Sequence, residues 1–233
     1  MRTSMNTAIN SKINTTRKTI ISNKIQSKIW PSVMASDQKE LDALLRKLKG
    51  TSTTLHLDVS DGKFVPTVYN HFNVRLDPTF HYTAHLMINN PQRWITKHGK
   101  KVSLCISQWE TIPHPKKFIA WLKKRGDKVA FAIKPETPVS SVAKYLSEID
   151  YILVLTVHPG YYGAPFLKSE LQKVREIKKL KPDVLVIVDG GINPETITLA
   201  KRAGADYFVS GSYVTKSDHP RKSIKELRKI LQG

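Results

Sequence analysis

The chain has 233 residues, 38 of them Lys or Arg against 19 Asp or Glu, for a formal net charge of +19 at pH 7 with 40% hydrophobic residues. Such a chain is long enough to bury one core of ordinary size, and its normal glycine and proline counts and single cysteine, Cys105, exclude collagenous, disordered and disulfide-stapled classes. No apolar run approaches the roughly 18 residues of a membrane span, so the chain reads as intracellular and reduced, with the cytoplasm as the expected compartment. Its basic residues are spread over the polar faces of candidate helices, as in Lys116-Lys117, Lys123-Lys124-Arg125 and Lys178-Lys179, without a long basic run or interleaved aromatics. That pattern predicts solvated helix faces and a general field that steers an anionic substrate, and it predicts neither specific nucleic-acid binding nor membrane association.

Residues 1–26 carry Arg2, Lys12, Arg17, Lys18 and Lys24, many Ser, Thr and Asn, and no acid. They read as a separable basic extension, disordered or, alternatively, an organelle transit peptide. The remaining residues, 27–233, keep 33 basic and 19 acidic side chains, so basicity belongs to the folded part as well. Eight apolar runs in that part suggest strands: Ile29 to Met34, Thr54 to Asp58, His81 to Met87, Val102 to Ile106, Val129 to Ile133, Tyr151 to Val157, Val184 to Asp189 and Tyr207 to Ser210. Most are short and continuously apolar, as strands covered on both faces must be. Amphipathic stretches alternate with them: Lys39 to Lys49, Lys116 to Lys124, Val139 to Leu146, Lys168 to Leu180, Glu195 to Ala203 and Pro220 to Leu231. Eight strand-helix units in about 205 residues predict a single catalytic domain of the α/β class, a (β/α)8 TIM barrel, with an open doubly wound sheet as the alternative.

In a barrel the open face is built from the C-terminal ends of the strands, and the chemistry-bearing residues fall there. His56 and Asp58, two apart on the second strand, project to one side; the third strand brings His85 and the seventh brings Asp189. Alone, each is more readily a structural histidine or a helix-capping aspartate. Together they form an N/O donor set for one divalent metal ion, suited to Zn, Fe, Mn or Co and not to a thiolate-loving ion. Three glycine-bearing loops, Gly160 to Gly163, Gly190-Gly191 and Gly211-Ser212, follow strands six, seven and eight, where barrels of this kind hold a phosphate.

These residues resemble the ribulose-phosphate 3-epimerase family. The resemblance runs in order through Pro31-Ser32-Val33-Met34, His56-Leu57-Asp58-Val59-Ser60-Asp61-Gly62-Lys63-Phe64-Val65-Pro66, His85-Leu86-Met87, Pro135-Glu136-Thr137-Pro138, Thr156-Val157-His158-Pro159-Gly160, Val188-Asp189-Gly190-Gly191 and Gly204-Ala205-Asp206 with Gly211-Ser212. It implies a barrel of the ribulose-phosphate-binding type that interconverts D-ribulose 5-phosphate and D-xylulose 5-phosphate, with a six-carbon ketose phosphate as the alternative substrate; the charge of +19 and an altered glycine loop leave a non-catalytic basic barrel that binds nucleic acid or an acidic partner as the alternative of another class. It further implies metal ligands at His56, Asp58, His85 and Asp189, proton transfer by Asp58 and Asp189 through an enediolate, substrate contact by Ser32 and His85, phosphate contact by the three loops, and self-association.

Four positions depart from the family pattern. Ser60 and Leu155 stand where methionines are usual, which predicts a thinner apolar shield at Ser60. The loop reads Gly160-Tyr161-Tyr162-Gly163-Ala164 instead of Gly-Phe-Gly-Gly-Gln. Gln108-Trp109-Glu110 replaces the usual His-x-Glu, a change that can alter support of the site and is not expected to touch a proposed ligand.

Overall fold

Five consecutive buried residues, Ile29–Val33, make the first strand, β1. In the computed structural model, which describes residues 27–160 and 163–233, eight further strands follow: β2 (Thr54–Asp61), β3 (Val68–Tyr69), β4 (His81–Met87), β5 (Leu104–Gln108), β6 (Ala130–Ile133), β7 (Tyr151–Leu155), β8 (Leu185–Asp189) and β9 (Tyr207–Ser210). The leader, residues 1–26, and Tyr161 and Tyr162 of the altered glycine loop lie outside the described residues. Eight strands pair in parallel in the order β1-β9-β8-β7-β6-β5-β4-β2, and β1 also pairs with β2. The sheet therefore closes, which rules out the open doubly wound alternative and gives the expected (β/α)8 barrel.

Helices α1 (Gln38–Leu48), α2 (Pro91–His98), α3 (Pro115–Arg125), α4 (Ser140–Ala143), α5 (Leu171–Leu180), α6 (Pro194–Ala203), α7 (Ser212–Thr215) and α8 (Pro220–Gln232) follow the strands. Their starts are written in the sequence. Asp37 accepts from Glu40 N at 2.8 Å to open α1, and Asn193 and Thr196 form a reciprocal capping box that opens α6 ahead of Pro194.

The period of two in each strand separates two cores. On β2, Leu55, Leu57 and Val59 face the helices, as do Ala84 and Leu86 on β4 and Val186 and Val188 on β8. The alternate residues point into the barrel. There Trp30 stacks on Tyr207 at 4.8 Å with Tyr151 beside it, and these three close the lower end. Ile106, Leu153, Ile187 and Val209 fill the layer above. The barrel is thus a packed core, with His56, Asp58, His85 and Asp189 gathered toward its top.

Several expected boundaries move. The second strand runs on to Asp61 because it forms an antiparallel hairpin with β3, a two-residue strand that no apolar run announced. The fourth expected strand shifts by two, to Leu104–Gln108, which brings Gln108 inside the sheet. Helix α2 was not expected, since only Trp94 and Ile95 carry its apolar side, although Asn90 and Pro91 are a start signal. The expected Val139 to Leu146 helix shrinks to α4 and a 3-10 turn at Leu146–Glu148.

One polar residue ties the upper ends of β1 and β2 together. Asn70, fully buried, takes a left-handed backbone at φ 49°, and its Nδ2 donates to Val33 O at 2.8 Å and to Asp58 O at 2.9 Å. Asparagine is the side chain that tolerates this backbone while carrying two donors on one nitrogen. Asn70→Ala leaves two buried carbonyls short of a partner and places alanine at a strained φ, so unfolding in denaturant should show a loss of about 2–3 kcal/mol. A loss below about 0.5 kcal/mol, the range of an ordinary surface change, would mean that the clamp does not hold the strands.

Candidate active site

Strand register assembles the site. In the pairing of β2 with β4, Asp58 lies opposite His85 and His56 lies opposite Thr83, all on inward positions. Asp189, last residue of β8, reaches the same point from across the barrel mouth. His56 Nε2 stands 3.7 Å from Asp58 Oδ1 and 3.8 Å from Asp189 Oδ2; His85 Nδ1 stands 3.8 and 3.7 Å from the same two oxygens. The donor atoms of all four residues lie within 4.8 Å of one another.

Both imidazoles are oriented from behind. His56 Nδ1 is 2.7 Å from Thr83 Oγ1, and His85 Nε2 is 2.7 Å from Gln108 Oε1. An amide oxygen only accepts, so His85 presents an Nε2–H to it, and in its neutral form the ring turns the Nδ1 lone pair to the cluster. His56 Nε2 and His85 Nδ1 are buried and have no hydrogen-bond partner. Leaving two such atoms orphaned is costly unless something else binds them. The spacing is too long for hydrogen bonds and the donors converge on one point, so the residues fit a single divalent cation held by two neutral imidazoles and two carboxylates.

The electrostatics point the same way. Burial lowers the His56 pKa, against the pull of the Asp58 and Asp189 carboxylates, and His85 lowers it further. At His85 burial also acts downward, but the carboxylates of Asp189 and Asp58 outweigh it and push the imidazole up to about 9. The two imidazoles are thus pushed in opposite directions, His56 toward the neutral form chiefly by burial and His85 toward the charged form by the two carboxylates.

Above the cluster lies a cavity lined by Ser32, Asp58, His85, Asp189, Gly160, Gly163, Gly190, Gly191, Gly211 and Ser212, with Met34, Met87, Leu155 and Val157 as its apolar side. Every expected site residue except His56, which is buried beneath, lines this one space. The turn after β8 admits only glycine: at Gly190, φ 112°, a Cβ would stand 2.5 Å from Val157 Cγ2. Thr156 Oγ1 donates to Gly190 O at 2.7 Å and Thr196 Oγ1 to Gly191 O at 2.7 Å, so the carbonyls are tied back into the protein. Across the mouth, Thr67 Oγ1 donates to Gly160 O at 3.1 Å and links the loop after β2 to the loop after β7.

Two expectations change. Ser60 does not line the cavity: it is fully buried, and its Oγ accepts from Tyr69 N at 3.0 Å, so it secures β3. Gln108 does touch a proposed ligand, His85, contrary to the expectation for the Gln108-Trp109-Glu110 segment. Reading the fourth strand two residues short hid this, although Ile106 and Gln108 share the inward parity of His85. Thr83 was missed for a similar reason, since a buried threonine carries no signal until a register places it. Of the other histidines, His98 is buried beside Trp94, and His158 on the rim pairs with Glu136 at 2.9 Å.

The chain matches the model of the ribulose-phosphate 3 epimerase family over residues 28–215. Among its relatives is a ribulose-phosphate 3-epimerase of Bacillus subtilis strain 168, 33% identical over 218 residues that cover 86% of this chain and 98% of the relative. Another, from Schizosaccharomyces pombe, is 34% identical over 219 residues, covering 88% and 93%. Solved structures of like fold include 3-hexulose-6-phosphate synthase from Salmonella typhimurium, with a TM-score of 0.63 at 14% identity over 88% of this chain and 99% of that one. The 3-keto-L-gulonate-6-phosphate decarboxylase from Vibrio cholerae gives 0.64 at 12% identity over 88% and 97%; likeness at such identities concerns the fold. Among the described residues no helix is long and apolar enough to cross a membrane. With the family model covering most of the barrel and the relatives matched almost end to end, this chain belongs to the ribulose-phosphate 3-epimerase family and is an isomerase of that type.

Proposed function

We propose that the protein interconverts D-ribulose 5-phosphate and D-xylulose 5-phosphate by moving the proton on carbon 3 from one face to the other, with Asp58 and Asp189 as the two proton-transfer groups. The observation that carries this reading is their opposition: the two carboxylates come from strands on opposite sides of the barrel and meet at the floor of the one cavity that the glycine loops surround. Inversion at a planar carbon needs a base on one face and an acid on the other, and two carboxylates so placed meet that requirement. Asp58 takes the proton from the ribulose epimer and Asp189 delivers one to the opposite face; the roles reverse in the other direction. His56, Asp58, His85 and Asp189 would hold a divalent ion, and when bound it would supply positive charge beside the oxygens of the enediolate form of the substrate.

The remaining lining divides by chemistry. Gly160, Gly163, Gly190, Gly191, Gly211 and Ser212 are assigned to the phosphate, since glycine lets the backbone come close to an anion. Ser32 and His85 border the sugar end. Met34, Met87, Leu155 and Val157 keep water from the planar carbon and so protect the intermediate from stray protonation. The net charge of the folded part favours capture of the phosphorylated ketose.

Two outcomes test this reading. With the His85 pKa raised to about 9, chelator-stripped protein at pH 7 holds a proton there that an arriving ion must displace. Addition of Zn2+ or Co2+ in weak buffer should release about one proton per chain, and apparent affinity should strengthen as pH rises toward 9. Activity that persists in protein shown by elemental analysis to be metal-free would remove the cluster from the reaction. In heavy water with D-ribulose 5-phosphate, metal-loaded Asp189→Asn should lose epimerisation by about 10²–10⁴-fold while still exchanging the carbon-3 proton through Asp58. Asp58→Asn should show the mirror behaviour with D-xylulose 5-phosphate, and near wild-type epimerisation in either variant would overturn the two-base assignment.

A further inference from the structure

His85 is the start of a hydrogen-bonded chain that leaves the site through groups with no part in the assignment above. Gln108, fully buried at the end of β5, accepts at Oε1 from His85 Nε2 at 2.7 Å and donates through Nε2 to Glu110 Oε2 at 2.5 Å. The other oxygen of Glu110 accepts from Lys134 N at 3.1 Å and from the Thr137 hydroxyl. The loop that supplies these two donors is anchored in turn: Lys173 Nζ donates to Lys134 O and Pro135 O and pairs with Glu170 at 2.7 Å.

A primary amide has a donor end and an acceptor end of nearly equal size, so packing alone does not decide which end faces His85. Glu110 decides it. An ionised carboxylate only accepts, so it claims the amide NH2; the amide oxygen must then face His85, and the imidazole must present an N–H to it. Only one tautomer satisfies all three groups, and in that tautomer the lone pair of Nδ1 faces Asp58 and Asp189. We infer that Gln108 and Glu110 are positioning residues that act as a relay: the carboxylate of Glu110 sets the polarity of the Gln108 amide, and the amide sets the tautomer and ring orientation of His85 as a metal ligand. The inference rests on the reading of His85 as a ligand.

The same logic accounts for the departure at this position. The family pattern has histidine at the place of Gln108, and an imidazole also donates from one nitrogen while accepting at the other. Either side chain passes the polarity of a glutamate on to His85; an apolar side chain of equal size does not.

Titration of the metal-stripped full chain with Co2+, followed by its visible absorption, tests the relay. Gln108→Leu and Glu110→Gln should each bind Co2+ about 10–100-fold more weakly than wild type. Their losses should not add, because either change breaks the same chain. Gln108→His should recover affinity to within a few-fold when Glu110 is present and should fail to do so beside Glu110→Gln, a dependence that a purely structural role does not produce. Wild-type affinity in both single variants, additive losses, or equal rescue without Glu110 would each overturn the relay. If Gln108→Leu does not fold, Gln108→Met serves, being unbranched and lacking the amide. Wild-type chain that takes up no Co2+, or His85→Ala that takes it up as tightly as wild type, would instead strike down the ligand reading and the relay with it, whereas loss of binding in His85→Ala alone would leave the cluster standing and the relay refuted.

Discussion

Two carboxylates, Asp58 and Asp189, sit largely out of solvent at the top of a closed barrel, each within 4 Å of the same two imidazoles. Like charges so placed repel, and burial removes the water that would screen them. The arrangement is tolerable only if positive charge sits between them, as a shared proton or as a cation. The upper half of the molecule follows from this need: Thr83 and Gln108 turn the imidazole lone pairs inward, and Asn70 ties the carbonyl of Asp58 to the end of β1. Without neutral, correctly turned imidazoles the cluster has no means of holding an ion.

Closure of the sheet makes this placement reproducible. Asp58 and Asp189 are far apart in sequence, yet both stand over the packed apolar interior: Ile187 lies one inward step beneath Asp189, and His56, one inward step beneath Asp58, stacks on Trp30 at 6.0 Å. Because the interior is filled with aromatic and branched side chains and not with water, the polar layer cannot sink and its strands cannot slip. A shift of one residue in β2 would turn His56 and Asp58 toward the helices and bring Leu57 into the mouth, so the same apolar pattern that packs the helices also aims the acids.

Much of this was legible before any coordinates. Continuous apolar runs gave eight strands, and parity on each run placed His56, Asp58, His85 and Asp189 at one face, where they are found. What escaped was of two physical kinds. Short elements stabilised by polar contacts, such as β3, leave no apolar period to read; β3 exists because Ser60 and Asn70 secure its neighbours. Supporting groups such as Thr83, Gln108 and Glu110 acquire meaning only from cross-strand register, which a single strand does not encode. The ends of strands are also where apolar patterning fades into function, so the boundary of β5 was lost at the residue that supports the site.

The charge of the whole chain and the charge of the site have opposite signs, and the contrast bears on how an anionic substrate is received. The folded part carries an excess of lysine and arginine, while the centre of the mouth carries two carboxylates. A phosphorylated sugar is drawn by the outer field and repelled by an ion-free centre, so attraction alone does not bring its reacting carbon between the acids. An ion held by His56, Asp58, His85 and Asp189 would change the sign of that last step by adding positive charge beside both carboxylates. The glycine loops after β7, β8 and β9 line the same cavity, and the loop after β7 is tied to the loop after β2 by the Thr67 hydroxyl on Gly160 O. On the proposed function the phosphate would lie against these loops and carbon 3 between Asp58 and Asp189. None of the strands that carry the glycine loops carries an imidazole, while β8 carries both Asp189 and the Gly190-Gly191 turn.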